Sequence, residues 1–104
     1  MLFRSREDVT IFDITGEVIG NDTKETGKIV TSDEKVNKLI SNIIWGQRSN
    51  YLSVPTDCPQ RDERLGWTGD AQAFSITAGY NADVYGFFRK WMQDMRDSDR
   101  KSVV

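Results

Sequence analysis

Residues 54–70 read VPTDCPQRDERLGWTGD and carry the densest chemistry of the chain. Pro55 and Pro59 disfavour helix in the residues before them, and Gly66 and Gly69 permit turns. We therefore predict a non-regular loop between two helical stretches. Loops with this many reactive side chains are commonly functional sites. The segment contains four carboxylates, Asp57, Asp62, Glu63 and Asp70.

The residues before this loop predict one helix. The sequence TSDE at 31–34 matches a capping box, in which the Thr31 hydroxyl caps the first free amides and Glu34 reaches back. Apolar residues then recur at three- and four-residue steps and form one stripe that continues toward Trp45 and Tyr51. We expect Trp45 to lie in the core. The stripe contains Val36, Leu39, Ile40, Ile43 and Ile44.

The residues after the loop predict two further helices. Residues 71–81 are rich in small side chains that let neighbouring backbones approach closely. Residues 82–100 predict the third helix, with Asp83 in its first turn, where the helix dipole favours an anion. We also expect Trp91 in the core. The apolar stripe of this helix contains Val84, Phe87, Phe88, Trp91, Met92 and Met95.

The first part of the chain has a different pattern. Residues 9–19 alternate apolar and polar side chains around Thr15 and Gly16, which predicts two short strands joined by a turn. Residues 20–27 are polar and predict a connector. Three amphipathic helices and a β stub cannot easily enclose one another in 104 residues, so we expect exposed apolar surface and a piece of a larger protein.

Composition limits the classes of function. The net charge is −2 and no basic face accumulates, so we expect no nucleic-acid partner. One cysteine, Cys58, and no histidine leave no Cys/His cluster for a metal, and we expect Cys58 to be an inert packed thiol. No apolar run approaches the roughly 18 residues of a membrane span, so no membrane partner is expected. The sequence leaves localisation open.

The carboxylates suggest acid–base chemistry on a sugar. Glycoside hydrolysis uses one carboxylic acid to protonate the leaving oxygen and a second carboxylate to activate water or attack. Glu63 is the best candidate acid, because the apolar Leu65 and Trp67 follow it and disfavour its ionised form. Arg61 and Arg64 oppose this effect by stabilising anions. The residues alone therefore leave open which carboxylate holds the proton.

The same loop has the composition of a sugar-binding surface. Trp67 offers an aromatic platform for the apolar face of a ring, while Asp57 and Asp70 can accept hydrogen bonds from vicinal hydroxyls. A salt-bridged surface connection without function is the alternative interpretation of a loop rich in Asp, Arg and Pro.

The chain resembles the bacterial α-L-rhamnosidases of glycoside hydrolase family 78. The resemblance runs over residues 27–98 and centres on DCPQRDERLGWTGD at 57–70. It implies a mainly α fold, in which residues 27–104 are the opening helices of an (α/α)6 toroid. It also implies that residues 1–26 are a short β segment from an upstream β-sandwich module. The remainder of the toroid would be missing, which would leave this chain inactive alone.

The resemblance also implies a function and a set of site residues. The reaction is inverting hydrolysis of terminal non-reducing α-L-rhamnose from a glycoside or polysaccharide, without a cofactor or metal, and the general base lies outside this chain. A non-catalytic carbohydrate-binding remnant and a six-hairpin hydrolase of different sugar specificity are the alternatives. The implied roles are general acid for Glu63, the rhamnose pocket for Asp57, Trp67 and Asp70, support of a carboxylate for Arg61, and charge balance for Asp62.

Overall fold

The structure is a computed structural model that describes residues 12–63 and 65–101. Three helices dominate the described part: α1 (Glu34–Asn50), α2 (Thr68–Asn81) and α3 (Tyr85–Lys101). The segment 51–67, here called the site loop, joins α1 to α2, and its described residues form neither helix nor strand. The predicted mainly α fold and the predicted loop are thus confirmed. Arg64 lies outside the described residues.

The start of α1 differs from the predicted capping box. Asp33 is the N-cap, and its Oδ1 accepts hydrogen bonds from the amides of Lys35 at 2.8 Å and Val36 at 3.4 Å. The hydroxyl of Thr31 instead accepts from the amide of Asp33 at 3.2 Å. The prediction of Thr31 as the cap is therefore wrong by two residues. An aspartate carboxylate serves as well as a hydroxyl and also favours the positive end of the helix dipole.

The two later helices begin at other residues than predicted. Helix α2 starts at Thr68 rather than Ala71, so Asp70 belongs to its first turn. Helix α3 starts at Tyr85 rather than at the predicted Ala82. The backbone of Ala82 is extended, with φ −153° and ψ 161°. Asp83 consequently lies before the helix instead of in its first turn. Its carboxylate accepts a hydrogen bond from the amide of Tyr85 at 3.2 Å.

The two predicted strands are absent where the structure describes them. Residues 12–20 form neither helix nor strand, so the prediction is wrong for residues 12–19, while residues 9–11 lie outside the described ranges. A two-stranded ribbon is marginal in water without a packing surface. Here the apolar Phe12 and Ile19 are 94% and 83% exposed, so no such surface covers them.

The connector packs against the junction of α2 and α3. The amide of Thr26 donates to the carbonyl of Asn81 at 3.1 Å, and the amide of Asp83 donates to the carbonyl of Lys24 at 2.8 Å. A Cβ at Gly27 would lie 2.0 Å from the carbonyl oxygen of Tyr80, so a larger residue would push these backbones apart.

The core lies where the end of α1 meets α2 and α3. Tyr51 stacks on Phe87 with ring centroids 4.5 Å apart and an interplanar angle of 7°. The polar Gln47 is also buried, donates to the carbonyl of Ala78 at 3.2 Å and accepts from the side-chain Nδ2 of Asn81 at 2.8 Å. The buried cluster consists of Tyr51, Ala78, Ala82, Val84 and Phe87, with Phe74 and Phe88 packed against it.

Much apolar surface remains exposed, as predicted. Trp91 is buried, but Trp45 is 48% exposed, so the prediction that Trp45 lies in the core is wrong. The guanidinium of Arg48 lies 5.1 Å from the centroid of the Trp45 ring and also pairs with Glu25. Gln47 is the buried residue of α1, and the apolar stripe beside it is half-buried or exposed. None of the helices in the described ranges could cross a membrane.

Replacing Tyr51 with phenylalanine is expected to stabilise the chain. The Tyr51 hydroxyl is buried without a hydrogen-bond partner, and burial raises the pKa of this tyrosine. Removing an unpaired buried polar group relieves a desolvation cost of about 1–3 kcal/mol, so the free energy of unfolding in urea should rise. Tyr80→Phe, at a 74% exposed position, should change it by less than about 0.5 kcal/mol. Destabilisation by Tyr51→Phe would contradict this account of the hydroxyl.

Candidate active site

Backbone hydrogen bonds fix the two ends of the site loop. At its start, the amide of Thr56 donates to the carbonyl of Asn50 at 3.1 Å, directly after the last turn of α1. At its end, the amide of Trp67 donates to the carbonyl of Pro55 at 3.0 Å. The residue that precedes α2 is therefore tied back to the residues that follow α1.

The carboxylate of Glu63 organises the middle of the loop. Its Oε2 accepts from the backbone amides of Asp57 at 2.8 Å and Cys58 at 2.6 Å. Its Oε1 accepts from the indole Nε1 of Trp67 at 3.1 Å and from Nη2 of Arg61 at 3.2 Å. The Glu63 side chain is only 6% exposed. Four donors from four residues thus surround one carboxylate.

These donors favour the ionised form of Glu63. The amide of Cys58 and then the amide of Asp57 lower the pKa of Glu63 most, and Trp67 and Arg61 lower it further, while burial acts in the opposite direction. Leu65, which was expected to disfavour the ionised form, contributes little to raising the pKa because it is 64% exposed. The sequence left open whether Glu63 is protonated or ionised. In this structure its surroundings favour the ionised form.

The other predicted site residues form two groups. Arg61 and Trp67 contact Glu63, and the Trp67 side chain remains 40% exposed. Asp57 and Asp70 line a groove of about 440 Å³ between α1, α2 and the start of the site loop, together with apolar side chains such as Phe74. Glu63 and Trp67 do not line this groove. The backbone of Asp57 joins the two groups, because its amide holds Glu63. Asp62 is exposed.

Cys58 contributes more than an inert packed thiol. Its backbone amide makes the shortest of the four hydrogen bonds to Glu63, and its half-buried thiol donates to Oδ2 of Asp57 at 3.4 Å. The role of the Cys58 amide as a donor to Glu63 could not be predicted from the sequence, because a backbone donor has no side-chain signature. The burial of Gln47 was not predicted either, although Gln47 lies three residues after Ile44 and therefore on the same face of α1 as the apolar stripe.

The stability of the chain should fall in acid through Glu63. Its pKa is lower in the folded chain than in the unfolded one, so its contribution is present above the unfolded pKa and disappears as pH falls through the folded pKa. Urea unfolding between neutral pH and pH 3 should show this loss, and Glu63→Gln should flatten the acid limb. Glu17→Gln, at an exposed position outside the helices, should keep the original profile. An unchanged slope in Glu63→Gln would contradict the assignment.

Comparison with known proteins places this chain in a family. Residues 24–103 match the model of the bacterial alpha-L-rhamnosidase 6 hairpin glycosidase domain. An alpha-L-rhamnosidase of Formosa agariphila is 54% identical over 85 residues, which are 82% of this chain and 9% of that protein. An alpha-L-rhamnosidase of Streptomyces avermitilis is 51% identical over 85 residues, which are 82% of this chain and 8% of that protein.

Solved structures give the same result. The alpha-L-rhamnosidase from Dictyoglumus thermophilum superposes with a TM-score of 0.73 at 51% identity. The aligned part is 79% of this chain and 9% of that protein's chain. The Streptomyces avermitilis alpha-L-rhamnosidase complexed with L-rhamnose gives a TM-score of 0.74 at 51% identity, over 79% of this chain and 8% of its own. The chain thus spans about a tenth of the length of these relatives. It belongs to the bacterial alpha-L-rhamnosidase six-hairpin glycosidase family.

Proposed function

We propose that this protein acts in the inverting hydrolysis of terminal non-reducing α-L-rhamnose from glycosides or polysaccharides, with Glu63 as the general acid. The observation that carries the proposal is the carboxylate of Glu63, held by four donors beside a half-exposed indole. The segment that builds this arrangement lies inside the family match. A relative with 51% identity was crystallised with L-rhamnose, which supports the choice of sugar.

The two oxygens of Glu63 have different partners, which suggests where the proton sits. Oε2 is fixed by two backbone amides, which cannot turn away without moving the loop. Oε1 is held by two side chains, of which Arg61 is 62% exposed, so a ligand can displace its contact without moving the loop backbone. A bound sugar that displaces the Arg61 contact and excludes water would raise the pKa of Glu63. Oε1 is then the oxygen that carries the proton toward the glycosidic bond.

The remaining site residues would bind the sugar. Asp57 and Asp70 accept hydrogen bonds from its hydroxyls, and the exposed part of the Trp67 ring covers its apolar side. Before the sugar binds, Arg61 holds the Glu63 carboxylate in place, and Asp62 contributes to the charge balance. Inversion requires a second carboxylate roughly 6.5–9.5 Å from the acid, with room for water between them. We assign that base to a glutamate outside these 104 residues.

We further propose a division of the chain near residue 26. Residues 1–26 would end an upstream β-sandwich module, and residues 27–104 would open the six-hairpin domain. The start of the family match at residue 24 supports this boundary. The exposed apolar side chains of α1 and α3 support packing against further helices of such a domain.

A segment exchange tests the proposed activity. Residues 24–103 would replace the matching segment of the Streptomyces avermitilis relative, and the exchanged protein would be assayed with a chromogenic α-L-rhamnoside. We expect hydrolysis, with the inverted anomer of rhamnose appearing first by NMR. Asp57→Asn in the exchanged protein should impair hydrolysis, whereas Asp97→Asn, at an exposed position of α3 outside the site loop, should not. A folded exchanged protein without activity, or retention of configuration, would refute the proposal.

The lowered pKa of Glu63 favours one second candidate, sugar binding without cleavage. An ionised carboxylate accepts a hydrogen bond from a hydroxyl but has no proton to give. Titration of the full chain with L-rhamnose, followed through the Trp67 indole signal by NMR, measures binding alone. Binding by the chain together with an inactive exchanged protein would support this second candidate.

A further inference from the structure

Helix α3 holds the site loop at both of its ends. Near the start of the loop, Nζ of Lys90 donates to the carbonyl of Ser53 at 3.0 Å and lies 3.1 Å from its hydroxyl. Near the end of the loop, Gly66 lies against the indole of Trp91. Lys90 and Trp91 are adjacent in α3, so one turn of one helix reaches two loop positions that are 13 residues apart in the sequence.

The contact between Gly66 and Trp91 leaves no room for a side chain. A Cβ at Gly66 would lie 2.7 Å from Nε1 of Trp91 and 3.0 and 3.1 Å from two further ring carbons. Trp91 is only 7% exposed, and its ring is rigid and packed near Phe88, with centroids 6.3 Å apart. No described glycine has a positive φ, so Gly66 is required here for space and not for an unusual backbone conformation.

The contact is one peptide bond away from the site. Gly66 precedes Trp67, whose amide donates to Pro55 and whose indole donates to Oε1 of Glu63. A shift of the Gly66 backbone therefore moves the amide and the indole of Trp67 together. Both of these groups determine where the Glu63 carboxylate lies.

We propose that Trp91 is a positioning residue for Glu63, which it holds in place through the close contact with Gly66 and the Trp67 indole, and that Lys90 secures the other end of the site loop. The four described donors to Glu63 come from residues other than Trp91, so the effect of Trp91 is transmitted by the backbone. The consequence for catalysis rests on the proposed function, whereas the consequence for the geometry of Glu63 does not.

The test measures the pKa of Glu63 in the full chain by ¹³C NMR of its carboxyl group. Gly66→Ala should push the loop away from Trp91, raise the pKa toward the usual value of a glutamate and shift the Trp67 indole N–H resonance. Trp91→Leu removes the ring that lies against Gly66 and should also raise the pKa of Glu63. In the double variant the clash is gone, so its pKa should equal that of Trp91→Leu alone and not the sum of both shifts.

Two controls separate positioning from general destabilisation. Gly86→Ala adds a methyl group in α3 where nothing lies within 4 Å, and it should leave the pKa unchanged. Lys90→Met keeps the aliphatic stem but removes the donor to Ser53, and it should raise the pKa less than Gly66→Ala. If Trp91→Leu fails to fold, Gly66→Ala and Gly66→Val decide the question through a graded rise in pKa. An unchanged pKa in the Gly66 variants, or additive shifts in the double variant, would overturn the proposal.

The exchanged protein supplies the readout in catalysis. Gly66→Ala should lower kcat by about 10²-fold with KM nearly unchanged, because a misplacement of about 1 Å costs that much in an oriented site. Trp91→Leu should partly rescue kcat in the Gly66→Ala background. A shifted pKa in the full chain with no activity in any exchanged protein would overturn the proposed function and leave the positioning role standing.

Discussion

Replacing Glu63 with glutamine is expected to lower kcat of the exchanged protein by about 10²–10⁴-fold on a rhamnoside with a poor leaving group. Glutamine matches the shape of glutamate but cannot donate a proton to the departing oxygen. On a rhamnoside with an activated leaving group the loss should be much smaller, because such a group departs without protonation. Steady-state kinetics with two substrates of this kind therefore measures the acid role directly.

The dependence on the leaving group separates two roles that the structure combines in Glu63. As a general acid, Glu63 acts through its proton. As the centre of the loop, it acts through hydrogen bonds to four donors, and an amide group cannot accept all four because its NH₂ faces the Trp67 indole or a backbone amide. An equal loss with both leaving groups would show that Glu63 only organises the loop. Glu34→Gln, at an exposed position in the first turn of α1, serves as the matched control, with unchanged kcat expected.

The helices could be predicted because their signals are local. The three- and four-residue spacing of apolar side chains places α1 and α3 in the correct parts of the chain. Their ends depend on competition between neighbours, so Asp33 replaces Thr31 as the cap and Asp83 stays outside α3. The exposure of Trp45 could not be predicted, because a stripe shows which face is apolar but not whether another element covers it.

The site was predictable in its residue types but not in its electrostatics. The density of carboxylates and the motif around Glu63 identified the loop without any structural information. The lowered pKa depends on the backbone amides of Asp57 and Cys58, and these point at Glu63 only because the loop folds back. The contact between Gly66 and Trp91 was equally hidden, since no spacing rule links residues 25 positions apart.

Phe87→Ala is expected to lower the free energy of unfolding by about 3–5 kcal/mol. Phe87 is 8% exposed, stacks on Tyr51 at 4.5 Å and contacts Phe88 edge to face at 5.6 Å. Truncation removes the stacked ring and leaves a cavity between α1 and α3 that the small neighbours Ala78 and Ala82 cannot fill. Small domains are stable by only about 5–15 kcal/mol, so this loss should be visible as a strongly lowered melting temperature.

The stack of Phe87 on Tyr51 also connects the core to the site, because Tyr51 is the first residue of the site loop. Urea unfolding followed by circular dichroism measures the loss, and Tyr85→Ala, an aromatic truncation at a 73% exposed position of the same helix, should cost less than about 0.5 kcal/mol. If Phe87→Ala cost no more than Tyr85→Ala, the aromatic cluster would not be the core of the chain. The site loop would then be positioned by its backbone hydrogen bonds and by the contacts of Lys90 and Trp91, and Phe87→Ala would leave the pKa of Glu63 unchanged.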